Sequence, residues 1–533
     1  MKPIRLMAGF FTVGLWTLLS RVFGFARDIL IAGILGTGAV AEAFFVAFAL
    51  PNMFRRFFAE GAFNMAFVPM FSKKLERGED AAGFASDAFA GLATVLIALT
   101  TLALVFMPWL VLAMAAGFAG DERLPIATAM GRIVFPYILF ISLAALLSGV
   151  LNATGRFAAA AAAPVLLNVI LVAALLLADR ADLGSLAISR PEGAALDTLQ
   201  HGTLLSIGVL VAGVAQLALL WIAAHRAGFT IRLRRPRLTP ELKRLAIIAA
   251  PAALAGGVVQ VNLLVGRQVA SFFDGAIAWL ALADRLYQLP LGVVGIAVGI
   301  VLLPDLSRRL AAGDDAGGRD AFNRACEISL ALTVPAAVAL VAIPGPLVSV
   351  LFERGAFGAE DTAATALAVA IYGAGLPAFV LQKALQPVFF ARSDTRTPFR
   401  AALWAMLVNV GLAIGLAPLI GFSAAAWGTT LAGWAMVAIL ARRARSLGDA
   451  AKPDARLKRR LPRILLASAI MGAVLFAVHL LTAPAYQPGG PRGLALAGLV
   501  LLGIAVYFTA AQMLGALRLS ELRGALRRRP SAP

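Results

Sequence analysis

Residues 20–28 read Ser20-Arg21-Val22-Phe23-Gly24-Phe25-Ala26-Arg27-Asp28, inside an apolar run that begins near residue 8. Three charges within a stretch long enough to cross a bilayer decide how the chain is read. A charge at the centre of a membrane helix costs roughly 2.5–3.5 kcal/mol on insertion scales, so such residues face a polar cavity or another charge. The pattern recurs along the chain. Glu42, Arg55, Arg56 and Glu60 border a second apolar run; Arg267, Asp284, Arg285 and Lys383 lie in later ones. Cations outnumber carboxylates in this set, and a positive interior suits an anion.

The remaining composition agrees. Of 533 residues, 61% are hydrophobic and only 14% charged, too little charge for a surface that faces water throughout. The net charge of +19 does not indicate nucleic acid, because the excess lies in short loops between apolar runs, as orientation in a membrane requires. Three His and a single cysteine, Cys326, leave little for a metal site and no intramolecular disulfide. No phosphate loop, H-E-x-x-H or G-x-S-x-G signature occurs, which argues against an enzyme. Lys2 and Arg5 before the run Leu6 to Leu19 imitate a secretory signal. No small-x-small cleavage site follows, so this reads as a retained first span.

The expected fold is an all-α polytopic membrane protein with fourteen spans. They fall near 8–35, 40–59, 82–115, 125–152, 158–178, 203–225, 244–272, 276–303, 322–351, 361–391, 398–420, 422–441, 461–482 and 491–516. An even number puts both termini on one side. That side then carries 34 Lys and Arg in its loops, against five on the other (Arg123, Arg180, Arg190, Arg354 and Arg492). The bias places both termini in the cytoplasm.

Val68-Pro69-Met70-Phe71-Ser72-Lys73-Lys74-Leu75 reappears as Leu303-Pro304-Asp305-Leu306-Ser307-Arg308-Arg309-Leu310, and Gly78 then matches Gly313. Further on, Pro136 matches Pro377, and Leu166-Leu167-Asn168-Val169 matches Leu407-Val408-Asn409-Val410. Two six-helix lobes, 1–225 and 244–441, related by a parallel pseudo-two-fold repeat, are therefore expected, with a substrate site between them. Basic segments 226–243 and 442–460 link them to each other and to an extra helix pair, 461–516. A basic tail, 517–533, follows.

Arg21 and Arg27 stand about 240° apart on an ideal helix, and Gly24 offers a bend that would bring them to one face. Arg56 and Glu60, at i and i+4, can pair. Arg55 points away from that pair, which makes it the better anion ligand, since its planar fork grips phosphate oxygens. The alternative is an interfacial basic pair at a helix end. Glu42 opens its span and marks the outer interface or supports the site. In span 8, Asp284 and Arg285 precede Pro290, a kink site, and Gly295-x-x-x-Gly299, a close-packing motif. Arg267 and Lys383 are weaker ligand candidates; a lysine there can snorkel to the interface.

The stretch 20–28, with Ala43-Phe44-Phe45-Val46-Ala47-Phe48, Leu50-Pro51-Asn52, Arg55-Arg56, Ala59-Glu60-Gly61-Ala62-Phe63 and Phe67-Val68-Pro69, closely resembles the MurJ/MviN family of lipid II flippases. Ala283-Asp284-Arg285-Leu286 and Leu302-Leu303-Pro304 resemble it too. The resemblance implies a fold of the multidrug/oligosaccharidyl-lipid/polysaccharide exporter superfamily. It implies export of lipid II, an undecaprenyl-diphosphate-linked disaccharide-peptide, across the bacterial inner membrane for cell-wall synthesis. The family's cavity arginines match Arg21, Arg27, Arg55 and Arg285, and its functional acids match Asp28 and Glu60. Glu42 stands where an aspartate is common, Lys383 matches a family lysine, and Ser20, Arg56, Arg267 and Asp284 would support the site. The extra pair, 461–516, would form a groove for the polyprenyl tail. No cofactor is expected; the membrane potential or an ion gradient would drive transport. Partners would be lipid II, membrane lipids and the peptidoglycan synthesis machinery. Export of another polyprenyl-diphosphate-linked oligosaccharide is the alternative, whereas a cationic-drug antiporter would want an acidic cavity.

Overall fold

A computed structural model describes residues 6–55, 62–180, 196–232, 234–448, 451–486 and 490–517 of the chain. Among these residues the centre of every predicted span is helical and no strand occurs. The first helices are α1 (Leu6–Leu35), α2 (Ala39–Arg55), α3 (Ala62–Glu76), α4 (Ala81–Val105), α5 (Met107–Met114) and α6 (Arg123–Val134). They are followed by α7 (Tyr137–Ala153), α8 (Ala158–Arg180), α9 (Leu196–Arg226), α10 (Pro240–Ala270), α11 (Ala276–Ala311) and α12 (Asp315–Ala342). The last are α13 (Pro344–Phe352), α14 (Ala359–Phe390), α15 (Arg396–Ile420), α16 (Ser423–Ala444), α17 (Ala455–Leu481) and α18 (Arg492–Met513). Ten stretches of the described residues are helical, long and apolar enough to cross a membrane: α4, α6 with α7, α8, α9, α12 and α14 to α18.

Three predicted spans are each two helices. The break between α4 and α5 falls before Pro108, that between α6 and α7 at Phe135-Pro136, and that between α12 and α13 before Pro344. Proline lacks an N–H and its ring presses on the carbonyl four residues back, so a helix tends to stop there. The residue before proline is pushed out of the helical region, as Ile343 is, with φ −131° and ψ 44°. Pro335 lies inside α12 without ending it. It leaves the carbonyl of Ala331 without its helical donor, and Tyr507 of α18 supplies one: its hydroxyl donates to that oxygen at 2.5 Å. Tyr507 is 2% exposed. Tyr507→Phe should therefore leave a buried carbonyl unsatisfied and destabilise the chain by about 1–3 kcal/mol, read as a lower midpoint of thermal unfolding in detergent.

The repeated octapeptides share one local structure. The first sits in α3, a helix the sequence left as a connection, and the second in the last turns of α11. Each helix ends at a glycine with positive φ, Gly78 at 68° and Gly313 at 74°, where a side chain would be strained. The next helix is then capped by an aspartate: Asp80 accepts from Gly83 N at 2.7 Å, and Asp314 from Gly317 N at 2.8 Å. Such caps satisfy first-turn amides.

The chain divides into two compact units, Met1–Ala278 with Arg354–Phe357, and Trp279–Glu353 with Gly358–Pro533. The division follows α10 rather than the basic segment 226–243, because α10 packs on α3, α4 and α5. In the first unit α1 lies on α8, α8 and α7 on α9, and α2 on α6. Phe67 is fully buried between Phe71 and Phe84, with ring centroids 5.6 and 5.5 Å away. In the second unit α14 packs between α12 and α16, α15 lies on α16, and α17 joins α12 to α18.

The start of α17 is fastened to α12 by polar contacts. Glu327, 3% exposed, receives the guanidinium groups of Arg324, Arg456 and Arg460. Asn323 Nδ2 donates to the Lys452 carbonyl at 3.0 Å, and its Oδ1 accepts from Asp454 N at 2.9 Å. Asp454 then caps α17 by accepting from Leu457 N. Part of the basic segment 442–460 is thus committed to the second unit's own packing.

Candidate functional site

The charges of the opening stretch form a buried cluster in the first unit. Arg27 is 7% and Asp28 4% exposed. Arg27 Nε and Nη2 donate to Asp28 Oδ1 at 3.0 and 2.6 Å. Its Nη1 donates to Asn168 Oδ1 on α8 at 2.9 Å. Asn168 completes the arrangement by donating from Nδ2 to the Ser20 carbonyl at 3.0 Å. Gly24 makes this approach possible, since a Cβ there would stand 3.3 Å from Asn168 Nδ2. The glycine read as a bend is a contact face. Three of the five guanidinium N–H directions are thus engaged within the described residues.

Arg21 and Arg55 are half-buried, the latter at the end of α2. Arg56 and Glu60 lie outside the described residues. Glu42 does more than mark an interface. It is 1% exposed, takes Arg123 Nη1 at 2.9 Å and accepts from Ile277 N at 3.0 Å. Arg123 also reaches Asp121 at 2.6 Å and Asp274 at 3.2 Å, and lies over the Phe118 ring at 4.7 Å. The sequence reading had counted Arg123 only as a loop cation. The signal was present: a carboxylate and an arginine each open a span at the same predicted membrane face. Arg267 falls in the last turn of α10, hence in the first unit.

In the second unit Asp284 is half-buried and bonded to Gln288, while Arg285 is exposed. Tyr287 packs on Tyr372 and Phe379 of α14, with centroids 5.1 and 5.5 Å away. Lys383, one helical turn beyond Phe379, is exposed. The aromatic contacts of Tyr287 join α11 to α14 near Asp284. Among the described residues no group of His, Cys, Asp and Glu could hold a metal.

The second unit also contains an apolar cavity of about 560 Å³. Val334 and Val338 of α12, Leu381 of α14, Trp434 of α16 and Leu465 of α17 are among its walls. Gly472 of α17 lets that helix approach α12 closely at the cavity's edge, since a Cβ there would meet Val338 at 2.5 Å. No residue of α18 is among its walls, although α18 packs on α17 and reaches α12 through Tyr507.

Long apolar helices with a buried arginine–carboxylate pair and an apolar groove define a multi-span membrane transporter. The family model described as lipid II flippase MurJ matches residues 31–490. A probable lipid II flippase MurJ of Rhizobium meliloti (strain 1021) is 46% identical over 99% of this chain and 98% of its own. One from Rhizobium tropici is 43% identical over the same shares. The chain belongs to the lipid II flippase MurJ family. A solved lipid II flippase MurJ in its inward closed conformation superposes with a TM-score of 0.77 at 25% identity, covering 97% of this chain and 99% of that one. An inward-facing multidrug resistance MATE transporter of the MOP superfamily shares the fold, with a TM-score of 0.64 at 14% identity over 81% of this chain and 95% of its own.

Proposed function

We propose that the chain moves lipid II from the inner to the outer leaflet of the bacterial cytoplasmic membrane by alternating access, supplying cell-wall synthesis. Family membership across residues 31–490 carries this reading. The protein is a transporter, so its residues bind and release rather than make bonds. The reading includes fourteen spans with both termini in the cytoplasm, which the loop charge bias supports. It includes two six-helix lobes, 1–225 and 244–441, which the shared glycine stops and aspartate caps support.

Arg21, Arg27, Arg55 and Arg285 are the diphosphate ligands in this scheme, because guanidinium forks match phosphate oxygens two at a time. Asp28 holds Arg27, and Glu60 and Lys383 adjust the charge around the anion. Rocking of the lobes then opens the cavity to one leaflet and the other in turn. An inside-negative potential is worth about 2.3 kcal/mol per charge per 100 mV and favours outward movement of an anion. Losing one charged hydrogen bond to the diphosphate removes about 1.5–3 kcal/mol. Arg285→Ala is therefore expected to lower lipid II translocation in proteoliposomes by roughly 10- to 100-fold; unchanged transport removes Arg285 from the grip.

The groove of the second unit suits the polyprenyl tail, which can stay in hydrocarbon while the head group crosses. Its apolar walls support that assignment, with α17 as the contributing member of the extra pair. Ala473→Phe, at an exposed lining position of α17, should occupy it and slow transport about tenfold if the tail uses it, while soluble head-group analogues bind as before. The whole reading is tested by depleting the protein in its native bacterium. Lipid II is expected to accumulate on the cytoplasmic leaflet; continued arrival outside at the normal rate would falsify it.

A further inference from the structure

The first unit holds a second cavity, of about 610 Å³, beside the turn that joins α7 to α8. Two arginines stand on it, Arg156 and Arg226, and none of the described residues that line it is acidic. Both side chains are exposed. Arg156 Nη1 donates to the carbonyl of Arg226 at 3.3 Å, which fixes it across the end of α9. The first turn of α8 opens on the same space through Ala158 and Ala159. Amides in a first turn have no partner inside their own helix and carry the positive end of its dipole. Away from the arginines the walls are apolar: Leu151, Phe157, Leu219 and Ile222. Ile222 is 50% exposed.

We propose that this cavity binds an anionic phospholipid, with its phosphate on Arg156 and Arg226 and an acyl chain along Leu219 and Ile222. Two guanidinium groups without a lining carboxylate among the described residues leave a positive charge that an anion neutralises. Cationic side chains next to a span attract anionic lipid head groups in this way. The apolar walls select a lipid over a free phosphate, since a soluble anion would leave them wet. The net charge of the head group selects among lipids. A zwitterionic head group would bring its own ammonium beside the arginines, whereas phosphatidylglycerol brings only hydroxyls. The site does not depend on which lipid the protein transports.

The test uses the full chain in detergent, with phosphatidylglycerol or phosphatidylcholine added and bound lipids counted by native mass spectrometry. The wild-type chain is expected to hold one phosphatidylglycerol at least tenfold more tightly than phosphatidylcholine. Arg156→Gln with Arg226→Gln should reduce that retention tenfold or more, with the thermal midpoint unchanged. Arg156→Lys with Arg226→Lys should keep most of it. Arg396→Gln with Arg400→Gln removes the same charge from the first turns of α15, next to another loop, and should leave it intact. Ile222→Asp should weaken lipid retention while the arginines remain. Three results overturn the proposal: wild-type retention in the glutamine pair, equal loss in the α15 control, or displacement by inorganic phosphate as effective as by lipid. Lipid II displacing phosphatidylglycerol at this site, in a manner sensitive to the glutamine pair, would also overturn it, since the cavity would then serve substrate.

Discussion

Arg27→Ala is expected to lower lipid II translocation by about 100-fold or more, and to destabilise the first unit at the same time. The two effects have different origins and can be separated. Arg27 and Asp28 are both more than nine-tenths buried and share two hydrogen bonds. Removing one member of such a pair costs about 3–5 kcal/mol, because the other charge stays buried and loses the two hydrogen bonds that Arg27 gives it. Transport falls for a second reason: the guanidinium itself is lost to the diphosphate. The double variant Arg27→Ala with Asp28→Asn removes the buried carboxylate as well. It should recover most of the thermal stability and none of the transport. If transport returns with stability, Arg27 is a packing element and not a ligand. Arg27→Lys supplies the intermediate case. A lysine can neutralise Asp28, but as a point charge it cannot also reach Asn168 and an anion through a planar fork. Stability near wild type with transport reduced about tenfold is expected on that ground.

The sequence made the helical class and the charges at Arg27 and Asp28 legible, because charge inside an apolar run is conspicuous. It left Asn168 silent as a partner. Asn168 is neutral, 141 positions from Arg27, and was visible only as a member of the repeat with Asn409. The structure gives both asparagines a comparable setting. Asn168 presses on Gly24 of α1, and Asn409 on Gly428 of α16, where a Cβ would stand 2.7 Å from its Oδ1. A small residue that admits a polar side chain at a helix interface is a common membrane device, yet a lone asparagine does not announce its glycine. The helix breaks were unreadable for a different reason. Composition is equally apolar through Pro108, Pro136 and Pro344, which stand at helix starts or breaks, and through Pro377, which lies inside α14. Whether a proline ends a helix depends on who satisfies the freed carbonyl, as Tyr507 does for Ala331. That partner lies 176 positions away. The partner of Glu42 was hidden similarly: Arg123 belongs to another helix and counts in the sequence only as a loop cation.

Glu327→Ala should produce the largest purely structural effect. Glu327 gathers three arginines, but they differ in what they lose. The Arg460 side chain is 10% exposed, Arg324 22% and Arg456 44%. Arg456 can turn to water, and an exposed pair of that sort contributes at most about 1 kcal/mol. Arg460 cannot, so most of an expected loss of about 3 kcal/mol comes from its buried contact with Glu327. The consequence should be local. The same patch fastens Asp454, the cap of α17, so the N-terminal turns of α17 should exchange amide hydrogens faster and the segment 442–460 should be cut sooner by protease. The rest of the second unit should keep its protection. Glu327→Gln retains an acceptor and should soften both effects by about half. Because α17 also walls the apolar groove, Glu327→Ala should slow transport in proportion to the opening of that helix, and Glu327→Gln correspondingly less. Unfastening with transport unchanged would mean that the lipid tail does not need α17 held against α12.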